Sequence, residues 1–228
     1  MVMITHASID ENGHAKNGKA GDQSGKEVCT RTWYNKPWQY VIRFKDPTMR
    51  DKVAQAMEKA GKNDHIGYDQ NQRNTLLVEA RKYGYDPGRV TIDVETDCSA
   101  LVSLACMYAG VDEKALVISG NSCTTRNLRS QLEKTGLVYV YKTSDYTRKS
   151  DKLIRGDILL KEGSHVACVT QGNTPVSKVS DTKSIDEIAK EVIQGKWGNM
   201  PERRTRIESA GYNYEKVRTA VMRIIRGG

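Results

Sequence analysis

Apolar and polar residues follow two different periods in the first third of the chain. Segments 27–34 and 38–44 alternate with strand character, and glycines punctuate the polar stretch that precedes them. From Pro47 onward, apolar residues recur at helical spacing between Val53 and Ala60, and Gly61 follows them. The pattern therefore predicts strands and turns over 1–46 and a helix over 47–60.

The middle of the chain mixes helical and strand-like segments. Helices are predicted over 72–83 and 125–135, and a third begins at Cys98, where Asp97 is a suitable N-cap and Gly110 a suitable end. Strand-like runs follow at 137–141, 157–160 and 165–170. Because the later strands are close in sequence, we expect an antiparallel sheet packed on helices, an α+β fold.

The pattern changes after residue 170. Residues 171–183 are small and polar, and from Ser184 onward apolar residues form purely helical stripes. Pro201 is well placed as the first residue of a middle helix. We therefore predict a larger α+β domain over 1–173, a linker over 174–183 and a three-helix bundle over 184–228.

Composition limits the class of protein. The 228 residues are 38% hydrophobic and 28% charged, without an apolar run long enough for a membrane span or a secretory leader. The five cysteines form no C-x-x-C pair, which argues against disulfides and zinc and for synthesis in a reducing compartment. Acidic residues interrupt the basic ones throughout, so the net charge of +8 does not by itself indicate nucleic-acid binding.

Cys98 and His165 are the candidate nucleophile and base. A thiol at a helix N-terminus faces unpaired backbone N–H groups, which stabilise a thiolate and can hold an oxyanion. His165 begins a β-branched strand and would transfer protons to and from the reacting groups. The other cysteines, Cys29, Cys106, Cys123 and Cys168, are expected to be small buried side chains.

Three segments resemble the motifs of one enzyme family. DCSALV at 97–102, RGDILL at 155–160 and SHVA at 164–167 are similar, in order and spacing, to the D-C-S-G-L-V, P-G-D and H-V-G motifs of NlpC-type peptidoglycan hydrolases. Ala100 replaces the glycine of that pattern. The resemblance implies a papain-like cysteine enzyme that cleaves cell-wall peptides without a metal or organic cofactor.

The resemblance also implies a third catalytic residue after the histidine, in a segment like V-H-A-S. No histidine follows His165, but ITHAS stands at 4–8. We therefore expect a circularly permuted catalytic domain in which His6 orients His165, which is feasible when domain termini lie close together. Tyr68 resembles the tyrosine that lines the site in this family.

Residues 184–225 resemble the CW-seven-type cell-wall-binding repeat of phage lysins. The resemblance rests on VIQGKWGN at 192–199 and AGYNYEKV at 210–217, and it implies binding to the muropeptide part of peptidoglycan. Arg203 could pair with a wall carboxylate, and Trp197 and Tyr212 could stack on a sugar. In a domain this small, however, Trp197 is expected to be mainly structural.

The sequence as a whole favours an endolysin-like, cysteine-dependent endopeptidase acting on peptidoglycan, a monomer made in the host cytoplasm. An N-acetylmuramoyl-L-alanine amidase, a transpeptidase on the same scaffold and a non-catalytic wall-binding protein remain alternatives. Asp22 and Gln23 lie in the glycine-rich loop and are candidate substrate contacts, although capping of turns is the favoured explanation of both. No nucleic acid, membrane insertion or metal is expected.

Overall fold

The computed structural model of the chain describes residues 1–173, 183–209 and 212–226. The chain divides into two compact units, Met1–Pro175 and Val176–Gly228. The linker predicted over 174–183 lies, except for Lys183, outside the described residues.

An antiparallel sheet of six strands forms the frame of the first unit. The strands of this unit, in chain order, are β1 (Met3–Ala7), β2 (Val28–Thr32), β3 (Tyr40–Phe44), β4 (Ile66–Tyr68), β5 (Val94–Thr96), β6 (Val117–Ile118), β7 (Asn121–Ser122), β8 (Val138–Tyr141), β9 (Ile158–Lys161) and β10 (His165–Gln171). The large sheet has the order β2-β1-β10-β9-β3-β8, whereas β4 pairs with β5 in parallel and β6 with β7. The N-terminal strand thus lies beside the last strand of the unit.

Both faces of the large sheet are buried because apolar residues occupy consecutive strand positions. Val166 and Cys168 of β10 face the larger core, whereas Ala167 and Val169 belong to a second apolar cluster with Trp38. A strand covered on both sides has apolar residues at successive positions rather than at every second one. The site described below lies at the start of β10.

Helices pack against the sheet within the first unit. They are α1 (Pro47–Ala60), α2 (Thr75–Ala80), α3 (Cys98–Tyr108), α4 (Glu113–Leu116), α5 (Leu128–Lys134) and α6 (Ser144–Thr147). Helices α1 and α3 contact each other and β10, and they contribute Met57, Leu101 and Leu104 to the larger core. The prediction of an α+β fold with an antiparallel sheet packed on helices is confirmed.

Two predicted helices begin later than expected. The helix predicted over 72–83 starts at Thr75 and ends in a 3-10 turn at Arg81–Tyr83. The residues before Thr75 lie outside the helix. Arg73, one of them, donates a hydrogen bond to Asp97, the N-cap residue of α3. The helix predicted over 125–135 starts at Leu128, after a turn in which Asn127 accepts a hydrogen bond from the backbone N–H of Thr124.

The described residues of the second unit form three helices: α7 (Ile185–Ile193), α8 (Glu202–Ser209) and α9 (Tyr214–Arg226). Ser184 and Glu187 form a capping box that starts α7, as their spacing of three residues allows. The small core consists of Ile188, Val192, Ile207 and Val217. The prediction of a three-helix bundle is confirmed.

Candidate active site

Asp97 fixes the start of helix α3 and with it the position of Cys98. One carboxylate oxygen of Asp97 accepts hydrogen bonds from the backbone N–H groups of Ser99 (2.9 Å) and Ala100 (2.7 Å). The guanidinium of Arg73 donates to both carboxylate oxygens of Asp97, at 2.5 and 3.0 Å, and to the hydroxyl of Ser99. The N-cap is therefore held from inside the helix and from the preceding segment.

The thiol of Cys98 lies against the first residues of β10. The backbone N–H groups of Val166 and Ser99 lie near enough to the sulfur to favour its anion. Val166 directly follows His165, and the side chains of Cys98 and His165 keep small exposed fractions of 6% and 7%. Cys98 and His165 thus share one region between α3 and β10.

His6 and His165 form a buried pair. A hydrogen bond of 2.8 Å joins Nδ1 of His6 to Nε2 of His165, and the two rings meet edge to face with centroids 5.0 Å apart. This bond engages Nε2 of His165, so its Nδ1 is the atom left to exchange a proton with a substrate or a thiol. That role requires a proton on Nε2 of His165, which then donates to His6.

Aromatic side chains of segment 33–38 cover the histidines. The Trp38 ring stacks on His165 with centroids 6.0 Å apart and an angle of 26°, and the Tyr34 ring lies 6.4 Å from His6. The indole N–H of Trp38 donates to the backbone carbonyl of Tyr34 at 3.0 Å, which fixes the Trp38 ring. Sequence reasoning missed these two residues; the only signal was an aromatic-rich turn between strands.

Burial opposes charge on the thiol and on both imidazoles. Burial and the Asp97 carboxylate raise the pKa of Cys98 to about 12, and burial lowers the pKa of His165 to about 3. Burial and the charge of Arg31 lower the pKa of His6 to about 4. Burial therefore favours the neutral thiol of Cys98 in the unliganded chain, whereas its place at the helix N-terminus predicts a stabilised thiolate.

The capping geometry also limits which backbone groups can hold an oxyanion. The N–H groups of Ser99 and Ala100 already donate to Asp97. In the part of the chain that the structure describes, the N–H of Cys98 itself has no acceptor, so it is the donor of this helix end that remains for a substrate oxygen.

Tyr68 lies within the electrostatic range of Cys98. Its side chain is 3% exposed, and its hydroxyl accepts a hydrogen bond from the amide of Gln70 at 3.1 Å. Burial, followed by the charge of Cys98, raises the pKa of Tyr68 to about 12. The phenol therefore stays neutral beside the site and can donate a hydrogen bond.

Asp22 and Gln23 are used by their own loop. The carboxylate of Asp22 accepts hydrogen bonds from the backbone N–H groups of Ser24, Lys26, Glu27 and Val28. The side-chain amide of Gln23 donates to the carbonyls of Ala20 and Gly21. These bonds match the turn-capping alternative, and none of them joins the loop to Cys98 or His165.

The aromatic candidates of the second unit contribute to its small core. Trp197 and Tyr212 pack against that core with ring centroids 6.3 Å apart, and the indole N–H of Trp197 donates to Glu191. Arg203 donates to the carbonyl of Gly198 at 2.7 Å, so one edge of its guanidinium is engaged within its own unit.

The described ranges of the chain hold neither a membrane-spanning helix nor a cluster of metal ligands. No helix in them has the length and apolar character that a membrane span requires. Within the same ranges, no three or more His, Cys, Asp or Glu side chains form a group that could hold a metal ion.

These features define an α+β protein with a thiol and a histidine pair at the start of one strand. The chain belongs to the Endolysin-like domain family (ELLD), which it matches over residues 4–175. Residues 186–225 match the CW_7 repeat. No curated protein and no solved structure matches the chain. The two family matches make it an endolysin that acts on the cell wall and carries a cell-wall-binding repeat.

Proposed function

We propose that this endolysin hydrolyses an amide bond of the peptidoglycan stem peptide with Cys98 as the nucleophile, as an NlpC-type, papain-like endopeptidase. The hydrogen bond of 2.8 Å between His6 and His165, beside a cysteine at a helix N-terminus, is the observation that carries the proposal. A nucleophile, a base and a group that orients the base are the parts that acyl transfer requires.

The reaction begins from a neutral thiol and a neutral imidazole. As the sulfur attacks the substrate carbonyl, its proton passes to Nδ1 of His165, and the backbone N–H of Cys98 donates to the developing oxyanion. The amine leaves with the proton from His165, and a thioester remains. A water molecule, deprotonated by His165, then hydrolyses the thioester, and the proton returns to the sulfur.

His6 holds the imidazole of His165 in the required tautomer. The pairing of β1 with β10 brings the first strand of the chain to the strand that carries His165. This arrangement supports a circular permutation relative to the NlpC order, in which the third residue follows the catalytic histidine. The hydrolase domain would then span 1–173, with 174–183 connecting it to the binding module at 184–228.

Clearing of cell-wall suspensions by three purified variants tests the proposal. Cys98→Ala should abolish clearing yet still sediment with insoluble walls, whereas Cys106→Ala, which removes another buried thiol from the same helix, should still clear them. His6→Ala should lose most of the turnover while keeping wall binding. Lysis by Cys98→Ala at the parent rate would overturn the cysteine mechanism.

Mass spectrometry of the digested walls assigns the bond. New termini within the stem peptide support the endopeptidase, whereas a free lactyl group on muramic acid would assign the protein as an amidase. Ligated products after addition of amine acceptors would instead indicate a transpeptidase.

A further inference from the structure

Arg31 presents an unpaired positive charge beside the histidine pair. It is exposed on β2, and its guanidinium carbon lies 4.8 Å from the centre of the Tyr34 ring. In the part of the chain that the structure describes, its guanidinium has no hydrogen-bond or ion-pair partner. Stacking on an aromatic ring orients the guanidinium plane but leaves its N–H groups free to bind a ligand.

Strand register places Arg31 on the same face as His6. In the β1–β2 ladder, Arg31 lies opposite Ile4 and Cys29 lies opposite His6, so Arg31 is a diagonal neighbour of His6. The Tyr34 ring, on which Arg31 stacks, lies 6.4 Å from the ring of His6. Arg31 is therefore near the catalytic groups without being one of them.

A second cation strengthens the positive potential at this position. Lys36 lies in segment 33–38, between the two aromatic residues that cover the histidines, and its ammonium has no acidic partner within the described residues. The charges of Arg31 and Lys36 both disfavour protonation of His6, and that of Lys36 also disfavours protonation of His165. An anion bound here would remove this repulsion as His165 takes up a proton.

We propose that Arg31, assisted by Lys36, binds a free carboxylate of the substrate next to the scissile bond. This inference rests on the proposed hydrolysis of the stem peptide. The preferred substrate is then a stem peptide in which the α-carboxylate of the γ-linked acidic residue is free. A stem peptide in which a carboxamide replaces this α-carboxylate should be cleaved less well. A planar guanidinium binds a carboxylate through two parallel hydrogen bonds, and a neutral amide cannot accept both.

Two soluble muropeptides that differ only in this carboxylate or carboxamide test the proposal. The parent protein should cleave the carboxylate form with a kcat/KM about tenfold higher, because charge-assisted hydrogen bonds are the strong ones. Arg31→Gln should lower cleavage of the carboxylate form more than cleavage of the amide form, so that the ratio of the two kcat/KM values falls from about tenfold to about twofold. Arg31→Lys should keep part of the preference, since it keeps the charge but loses the planar fork.

Arg89→Gln is the matched control. Arg89 is also exposed and stacks on a tyrosine, Tyr83, with its guanidinium carbon 5.0 Å from the ring centre. It lies, however, on a second 3-10 turn, Pro87–Arg89, which packs on α1. This variant should keep the full substrate preference of the parent.

The outcomes separate this inference from the proposed function. Equal cleavage of both muropeptides by the parent, or an equal loss on both in Arg31→Gln, would overturn the role of Arg31, while inactivity of Cys98→Ala would still support the cysteine mechanism. Cleavage of either muropeptide by Cys98→Ala at the parent rate would overturn the proposed function itself.

Discussion

Glu95 is a buried acid outside the proposed catalytic groups. It lies in β5, is 1% exposed, and neither of its carboxylate oxygens has a partner in the part of the chain that the structure describes. Burial, followed by the charges of Glu27 and Asp69, raises the pKa of Glu95 to about 8. The folded protein therefore holds a proton on Glu95 at pH values where the unfolded chain has lost it.

We predict that Glu95 makes stability fall as the pH rises. A raised pKa stabilises the folded state fully below pH 4.5, the ordinary value, and this stabilisation is lost as the pH rises to about 8. The lowered pKa values of His6 and His165 act in the opposite direction until the unfolded imidazoles have lost their protons, about one pH unit above 6.5. Between pH 6.5 and 8 the parent should therefore show a net loss on the order of 1 kcal/mol of unfolding free energy.

Urea unfolding of Glu95→Gln at several pH values measures this effect. The isosteric amide cannot ionise, so the stability of this variant should not fall over the same interval and should rise slightly as the unfolded histidines lose their protons. Glu113→Gln is the control, because Arg81 and Tyr85 lower the pKa of Glu113 and its titration ends well below pH 6.5. A parent protein with no loss of stability above pH 6.5 would contradict the prediction.

Sequence patterns predicted individual residues unevenly, for a physical reason. The chemistry of Cys98 and His165 can be predicted from the local sequence. Cys98 follows a helix cap and begins an apolar helix, and His165 begins an apolar strand. The environment that sets their charge is not local: Arg73, Tyr34 and Trp38 reach the site through tertiary packing. For this reason the sequence predicted a stabilised thiolate, whereas burial in the folded chain raises the pKa of Cys98.

The N-terminus of α3 is the element on which the proposed nucleophile depends. Arg73 and Asp97 form an ion pair there with side chains 14% and 11% exposed. Arg73 also donates to the backbone carbonyls of Ser122 and Cys123, so it ties the helix start to β7 and the residue after it. Removing one partner of such a pair leaves the other charge buried without compensation.

We predict that Arg73→Gln lowers the unfolding free energy by about 3 kcal/mol, because it leaves the Asp97 carboxylate unpaired. Arg73→Lys keeps the charge and should fold, but it cannot make the same set of bonds, so kcat should fall while KM changes little. Urea unfolding and steady-state cleavage of a soluble muropeptide measure the two effects.

Arg81→Gln provides the comparison for this element. Arg81 makes a similar two-bond contact with Glu113 at a more exposed position, where an ion pair contributes less than about 1 kcal/mol. Equal losses of stability in Arg73→Gln and Arg81→Gln would show that the capping network has no special role.

Elements were predicted well where they are long, as the periodic helix α1, the apolar helix α3 and the continuously apolar strand β10 are. The parallel pair β4 and β5 has only three residues in each strand, too few for a period to be visible. The pairing of β1 with β10 joins residues more than 160 positions apart, as Met3 and Gln171 illustrate, and no local pattern encodes it. A resemblance to family motifs was needed to expect that His6 and His165 meet.

The whole molecule combines two units that have separate apolar cores. The core of the first unit surrounds its sheet, whereas the second unit buries four principal apolar side chains, Ile188, Val192, Ile207 and Val217. A core of this size gives little stability, so the second unit should unfold before the first on heating. Separate cores also mean that the first unit can be tested without the second.

We predict that a chain ending at residue 175 keeps its chemistry but loses its action on insoluble walls. Cleavage of a soluble muropeptide should stay within about twofold of the parent, since the proposed catalytic groups all lie in the first unit. The rate at which wall suspensions clear should fall by at least about tenfold. The shortened chain lacks the CW_7 repeat, which would otherwise hold the enzyme at a high local concentration near the wall bonds that it cleaves. Circular dichroism and cooperative unfolding confirm that the shortened chain is folded.

Adding the separate second unit in trans distinguishes tethering from activation. If the repeat acts by raising local concentration, only the covalent connection matters, and the free module should compete for wall sites without restoring clearing. Recovery of clearing in trans would instead mean that the module changes the wall or the hydrolase directly. Full clearing by the shortened chain alone would mean that wall binding by the repeat does not limit lysis.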